Sequence, residues 1–416
     1  MKVGVVGIGY VGLPTAVCLA SFGHQIICLD TDENKIKQLQ ENKLPIFEKG
    51  LEQLYKTNKN KIRFTVNYED LKSVDIIIIA VGTPQLETGE ADLSYIYSVA
   101  KSLKLTNGQI VAIKSTVPIG TNDKVLDILK QNNKVNFDLI SIPEFLREGF
   151  AIKDFYNPDR IIIGVRNYNL YYKIKKLYSP SLRNKIILTD IKSAELIKYA
   201  SNAFLATKIH FINEIANLCE VTGANIRAVS VGMGADTRIG HKFLKAGAGY
   251  GGSCFPKDTE ALLYTANNAK IDLNIVKTVI EGNKQRKIEL ANRILNKIKN
   301  LKNPTITFLG IAFKTGTDDC RESSSIAIIK YIQDKNKNVQ IRCYDALANN
   351  NARKILDNVI FYDNLMASIK DTNLIIIMNE DEEFRTIKTD KPIFDYRGIM
   401  PNSGNVYKIG ENNFNA

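Results

Sequence analysis

Cys254 lies in the octapeptide GGSCFPKD, after a glycine run and four residues ahead of Asp258. A cysteine so placed is a packed apolar side chain, a metal ligand or a nucleophile, and its thiolate is strong enough for covalent catalysis. Lys198 and Asn202 are spaced four apart, which puts them on one face of a helix. There they either face solvent or donate hydrogen bonds to one oxyanion. Thr83 in VGTPQ, Thr116 in KSTVPIGT, and Glu144 and Glu148 in PEFLREG each follow an apolar, strand-like run. A strand-end threonine caps a helix or faces a ligand, and a glutamate there is solvated or catalytic; position alone leaves both open.

GIGYVG sets Gly7, Gly9 and Gly12 in G-x-G-x-x-G spacing, with Tyr10 and Val11 completing the turn. The motif follows a strand pattern, opens a helix pattern and precedes a second strand ending on Asp30. That context is what a dinucleotide site requires: a tight turn, close backbone approach to the pyrophosphate, and free helix N–H groups facing it. Asp30 can accept both adenosine ribose hydroxyls and would repel a 2′-phosphate, which favours NAD over NADP.

These residues need a frame. Strand patterns such as RFTVN, VDIIIIAVG, QIVAIKS, FDLISI, DRIIIGV and KIILTD alternate with helical spacing, which indicates a parallel sheet covered on both faces. From about Ser193 to Asn300 the chain reads as nearly all helical, opening with one long amphipathic run. Alternation restarts at Pro304 with TITFLGIAF, without the triple-glycine spacing. The expected fold is α/β: two doubly wound Rossmann-like domains, over residues 1–192 and 301–416, joined by a long central helix and a helical middle domain, 193–300.

Bulk composition narrows the function. At 416 residues, 44% hydrophobic and 24% charged, the chain has the make-up of a multidomain globular protein. Apolar runs have strand length, and no secretory signature precedes the first strand, so a cytoplasmic protein without membrane insertion is expected. The six cysteines form no CxxC and no Cys/His cluster, and Cys18, Cys28 and Cys219 lie in apolar runs. Neither a disulfide framework nor a metal site is expected. The net charge of +12 is spread along the chain without a basic tract, which argues for anionic small molecules rather than nucleic acid.

In this order across nearly the whole chain stand GIGYVGL, VGTP, KSTVPIGT, PEFLREG, AELIKYASNAFLATKIHFINE, DTRIG, GAGYGGSCFPKD, GIAFKTGTDDCRESSS and FDYRG. Together they resemble the UDP-glucose/GDP-mannose dehydrogenase family. The resemblance implies NAD in the first domain, the UDP part in the second, and subunits that dimerise, or assemble further, at the long helix. It implies oxidation of a sugar C6 alcohol to a carboxylate by two hydride transfers to two NAD⁺. Cys254 would form a thiohemiacetal and then a thioester; Lys198 would stabilise the oxyanion and favour the thiolate, with Asn202 sharing that task. Asp258 would hold the catalytic water or lysine, Glu148 would serve thioester hydrolysis, and Thr116 would position water.

Further positions are carried over from the same resemblance. Lys35 matches a lysine near the adenosine ribose, and Lys257 and Arg321 match residues near the NAD phosphates; Thr83, Thr116 and Glu148 face the same cofactor. Glu144, Phe145, Leu146, Arg147, Phe243, Tyr250, Gly251, Gly252, Phe313, Lys314 and Arg397 match positions lining the nucleotide-sugar site. Arg238 matches an arginine reaching into the neighbouring subunit's site. DTRIG, GYGG and PEFLREG favour UDP-glucose, oxidised to UDP-glucuronate for envelope or capsule polysaccharide, over GDP-mannose or a UDP-N-acetylhexosamine. A non-catalytic NAD or nucleotide-sugar sensor on the same scaffold would be expected to lack Cys254 or Lys198.

Overall fold

The computed structural model describes residues 1–412. The chain divides into two compact units, the first Met1–Ser201 with Asn267–Ala269, the second Asn202–Ala266 with Lys270 onward.

The first unit is built on an eight-stranded sheet: β1 (Lys2–Val6), β2 (Gln25–Leu29), β3 (Ile62–Thr65), β4 (Ile76–Ile79), β5 (Gln109–Ile113), β6 (Phe137–Ser141), β7 (Ile161–Gly164) and β8 (Ile186–Thr189). Their spatial order is 3-2-1-4-5-6-7-8. β4 is four isoleucines, all buried, as expected of a strand covered on both faces. Each such side chain removed from water contributes roughly 1.5–3 kcal/mol. Along β1, Val3 and Val5 join the core with Leu13, Ala16 and Val17, while Val6 packs on the opposite face with Ile77, Ile79 and Val99. The helix Gly12–Ser21 has nine buried residues and no charge in its first or last turn, so it belongs inside the fold.

The wholly parallel sheet expected from the sequence is corrected at one edge. β6 and β7 meet antiparallel at Ser141 and Gly164, and β8 runs parallel to β7. The connection between β6 and β7, residues 142–160, is mostly loop and holds one six-residue helix, Ala151–Tyr156, in place of the long crossover helix of a βαβ unit.

The second unit carries β9 (Thr305–Leu309), β10 (Gln340–Tyr344), β11 (Val359–Tyr362), β12 (Leu374–Ile377), β13 (Ile393–Asp395) and β14 (Val406–Lys408), all parallel, in the order 11-10-9-12-13-14. Ile306 and Phe308 face a core shared with Ile326, Ile329 and Leu290, while Leu309 faces Ile375, Ile377 and Phe384. β14, only three residues long, is not marked by any long apolar run in the sequence.

The helix Ile191–Thr222 has 32 residues, about 48 Å, and runs from the first unit into the second. The middle region is not helical throughout. Residues 236–254 form a loop between the helices Ile226–Ala235 and Phe255–Asn268, because Gly240, Gly249 and Gly252 all take positive φ, of +71°, +90° and +83°. Among the described residues no helix is long and apolar enough to cross a membrane.

Candidate active site

The glycine turn of the first unit occupies the point where the strand order reverses, between β1 and β4, which is where open α/β sheets bind ligands. Gly7 has φ +91°, and a Cβ at Gly12 would lie 1.8 Å from the Gly7 carbonyl oxygen, so neither position admits a side chain. At Gly9 nothing lies within 4 Å of a Cβ, leaving room for a ligand against the backbone. The helix that follows has no side-chain cap and no acid in its first turn, so its N–H groups and positive dipole end suit a pyrophosphate. Asp30 follows β2; its Oδ2 accepts the Ile8 N–H and the Lys35 ammonium, both at 2.9 Å. Burial alone would raise this carboxyl, but Lys35 and the Ile8 and Asp32 N–H groups hold it below its usual range. A ribose-reading acid beside an open glycine cradle is what NAD needs.

The same unit gathers the residues at the ends of β4, β5 and β6. Thr83 donates its hydroxyl to the Thr116 carbonyl at 2.9 Å, joining the two strand-end loops. Glu144 is buried and pairs with Lys198 at 3.0 Å, while accepting the Leu146 N–H at 2.6 Å. Burial pushes Glu144 up, yet the charges of Lys198 and Lys114 outweigh it and keep the carboxyl ionised below its usual range. Phe145 lies under two cations, with the Arg160 guanidinium 3.6 Å and the Lys198 ammonium 5.2 Å from its ring centroid. Glu148, in the next turn, is half-buried.

Residues not singled out in the sequence complete this half. Lys114 opens KSTVPIGT and is buried near Glu144 and Lys198. Glu195, three residues before Lys198, accepts the Gly120 N–H at 2.7 Å and the Asn122 N–H at 2.8 Å, tying the Thr116 loop to the long helix. Both belong to motifs visible in the sequence, but their partners lie far along the chain.

The second unit holds the cysteine. Cys254 immediately precedes the helix Phe255–Asn268, is half-buried, and has the Ser253 hydroxyl 3.6 Å from its sulfur. One turn on, Asp258 is fully buried and grips two donors: the Asn202 amide at 2.6 Å and the Lys257 ammonium at 2.5 Å. Tyr250 exchanges backbone hydrogen bonds with the Asn283 side chain. A Cβ on Gly252 would lie 2.5 Å from the Phe313 ring and one on Gly251 2.2 Å from the Glu322 carbonyl, so this segment packs directly on the loop after β9. The Gly252 N–H donates to the Arg321 carbonyl there. Phe243, with φ +65° and its ring 6.0 Å from Phe255, holds a backbone conformation costly for an aromatic residue, a mark of functional loops.

Most of the cations expected near substrate and cofactor meet a carboxylate of their own unit. Arg147 is bidentate to Asp154, Arg238 to Asp236, and Arg321 to Asp319. Arg397 pairs with Glu380, which Lys245 also reaches, and Lys257 pairs with Asp258. Lys314 stacks over Phe313 at 5.2 Å. The sequence showed these cations but not their partners, which a binding anion would have to displace.

A doubly wound sheet with a glycine turn and ribose-reading acid, coupled to a second domain that repeats the order of its first six strands, defines an NAD-dependent oxidoreductase. The chain belongs to the UDP-glucose/GDP-mannose dehydrogenase family: residues 1–182 match its NAD binding domain, 192–285 its central domain and 307–402 its UDP binding domain. It is 41% identical over 426 residues to a UDP-glucose 6-dehydrogenase of Rickettsia conorii, covering 99% of this chain and 98% of that one. It is 42% identical over 408 residues to a UDP-glucose 6-dehydrogenase of Bacillus subtilis, covering 96% and 91%. A UDP-glucose dehydrogenase structure from the archaeon Pyrobaculum islandicum matches with a TM-score of 0.91 at 31% identity, covering 96% and 94%.

Proposed function

We propose that this enzyme oxidises UDP-glucose at C6 to UDP-glucuronate, consuming two NAD⁺ and one water per sugar. The observation that carries the reading is the cluster around Cys254: a thiol at a helix N-terminus, with buried Asp258 one turn on, held by Asn202 and Lys257. The near full-length likeness to UDP-glucose 6-dehydrogenases supports the same substrate.

Bound NAD⁺ supplies the acceptor for each of the two hydrides leaving C6. Loss of the first hydride and the hydroxyl proton gives an aldehyde, which has no second hydride to lose until a nucleophile adds. Cys254 Sγ forms that bond, making a thiohemiacetal whose oxyanion is met by the Lys198 ammonium and the Asn202 amide. The N-terminus of the helix Phe255–Asn268 favours negative charge at the sulfur. Glu144 orients Lys198 through its 3.0 Å ion pair. Loss of the second hydride leaves a thioester; water adds to its carbonyl, Cys254 leaves as thiolate, and the carboxylate is released. Glu148 promotes this hydrolysis, Thr116 positions the water, and Asp258 holds the proton-carrying groups.

The remaining assignments follow the same logic. The UDP-sugar is assigned to Glu144 to Arg147, Phe243, Tyr250 to Gly252, Phe313, Lys314 and Arg397, with Arg238 serving a neighbouring copy. The chain divides functionally into residues 1–192, 193–300 and 301–416. Phe204, Phe211 and Leu218, seven residues apart on the long helix, are all exposed, an apolar stripe that a second copy would cover in a homodimer. The work is cytoplasmic and supplies envelope or capsule polysaccharide precursors.

Initial rates with UDP-glucose, GDP-mannose and UDP-N-acetylglucosamine under saturating NAD⁺ test the substrate. UDP-glucose should exceed the others in kcat/KM by roughly 100-fold. An equal or higher value for either competitor would overturn the assignment.

A further inference from the structure

The turn that bears Glu148 is gripped from a distant part of the chain. Glu48 lies between the helices Glu33–Gln40 and Leu51–Asn58 and is 6% exposed. Its Oε2 accepts the Gly149 N–H at 2.8 Å and its Oε1 accepts the Ala151 N–H at 2.9 Å, both in the interior. Gly149 has φ +79°, and the Phe150 N–H closes the turn onto the Arg147 carbonyl at 2.8 Å. On the other flank, Asp154 accepts the Arg147 N–H and both arms of its guanidinium. Glu148 therefore sits in a turn fixed by Asp154 on one side and by Glu48 on the other.

A carboxylate suits this task better than any neutral group. It offers two acceptors at a fixed spacing and makes charge-assisted bonds, which are shorter and stronger than neutral ones. Glutamine at the same place would keep one acceptor and turn an NH₂ toward the second backbone N–H. Aspartate keeps the charge but falls one methylene short of the turn.

We propose that Glu48 is a positioning residue for Glu148, setting the direction of its carboxylate through the backbone on its C-terminal side. The proposal rests on the reading of Glu148 as the group that promotes thioester hydrolysis. Glu48 acts through the turn and does not touch the substrate.

The test is a kinetic cycle of Glu48→Gln, Glu148→Gln and the double variant, with Glu48→Asp as a second, charge-retaining probe. Measured are kcat, the KM for UDP-glucose, NAD⁺ affinity, melting temperature, and the intact mass of enzyme quenched during turnover. Glu48→Gln and Glu48→Asp should each lower kcat by about tenfold or more, with the KM for UDP-glucose and the NAD⁺ affinity within about threefold. The double variant should be no slower than Glu148→Gln, since residues acting as one unit do not add. Losses that multiply, or an unchanged kcat in both single variants at Glu48, would overturn the proposal. The mass readout separates it from the underlying reading. Accumulation of a uronyl adduct on Cys254 in Glu148→Gln supports the hydrolysis role and should recur in Glu48→Gln. If Glu148→Gln carries no adduct, the role of Glu148 in hydrolysis fails, while the cycle still decides whether Glu48 acts through it.

Discussion

Lys114 has almost no access to water and shares its surroundings with Glu144 and Lys198. Burial pushes its ammonium down to about 8, Glu144 pulls it back, and Lys198 pushes it further down. Below pH 8 both the folded and unfolded chains carry this proton, so the cost of burying the charge is fully present. As pH rises from 8 toward 10.5 the folded chain gives up the proton first, and the cost fades. Lys114→Met should therefore be more stable than the parent at pH 7, by at most about 3 kcal/mol, and melt at a higher temperature. That advantage should shrink steadily between pH 8 and 10 in paired thermal scans; a constant difference would contradict the account. Glu144 teaches the converse: a glutamate whose position in PEFLREG left solvation and function both open is buried, with two lysines compensating its charge.

At the scale of elements, the long helix carries the most. Glu195 and Lys198 project from its first-unit part, Asn202 from its second-unit part, and the stripe of Phe204, Phe211 and Leu218 further on. Phe211→Glu puts a charge into that stripe without touching Lys198 or Asn202. If the proposed dimer forms along this stripe, the variant should sediment as a monomer where the parent sediments as a dimer, and an unchanged assembly would contradict dimerisation there. This helix was legible in the sequence because its apolar residues recur at three- and four-residue steps. The strand-helix alternation of both sheets was legible for the same local reason, as were the glycine turn and Asp30. The antiparallel turn of β7 and the short β14 were not, since strand direction and three-residue pairings are set by neighbours in space. The clamps at Glu48 and Glu195 escaped likewise: each binds backbone more than seventy residues away. Local pattern shows that a carboxylate is present, and only tertiary structure shows which N–H it accepts.

Across the whole molecule, the second sheet repeats the order of the first sheet's first six strands but carries a different turn. After β1 the helix begins at Gly12, leaving N–H groups for a pyrophosphate. After β9 the helix waits until Ser324, and Asp345 accepts the N–H groups of both Ile311 and Ala312 at 2.7 and 3.0 Å. Asp345 thus takes two N–H groups of its turn where Asp30 takes only that of Ile8, and the second turn lacks the triple-glycine spacing, so duplication of the fold does not duplicate the ligand. In the proposed mechanism a single sugar held on Cys254 is oxidised twice, by two successive NAD⁺ molecules, without leaving as aldehyde. The most direct measurement is the NADH formed from a limiting amount of UDP-glucose under excess NAD⁺, followed to completion. The account predicts about two NADH per sugar; one NADH per sugar, with free aldehyde in solution, would contradict it.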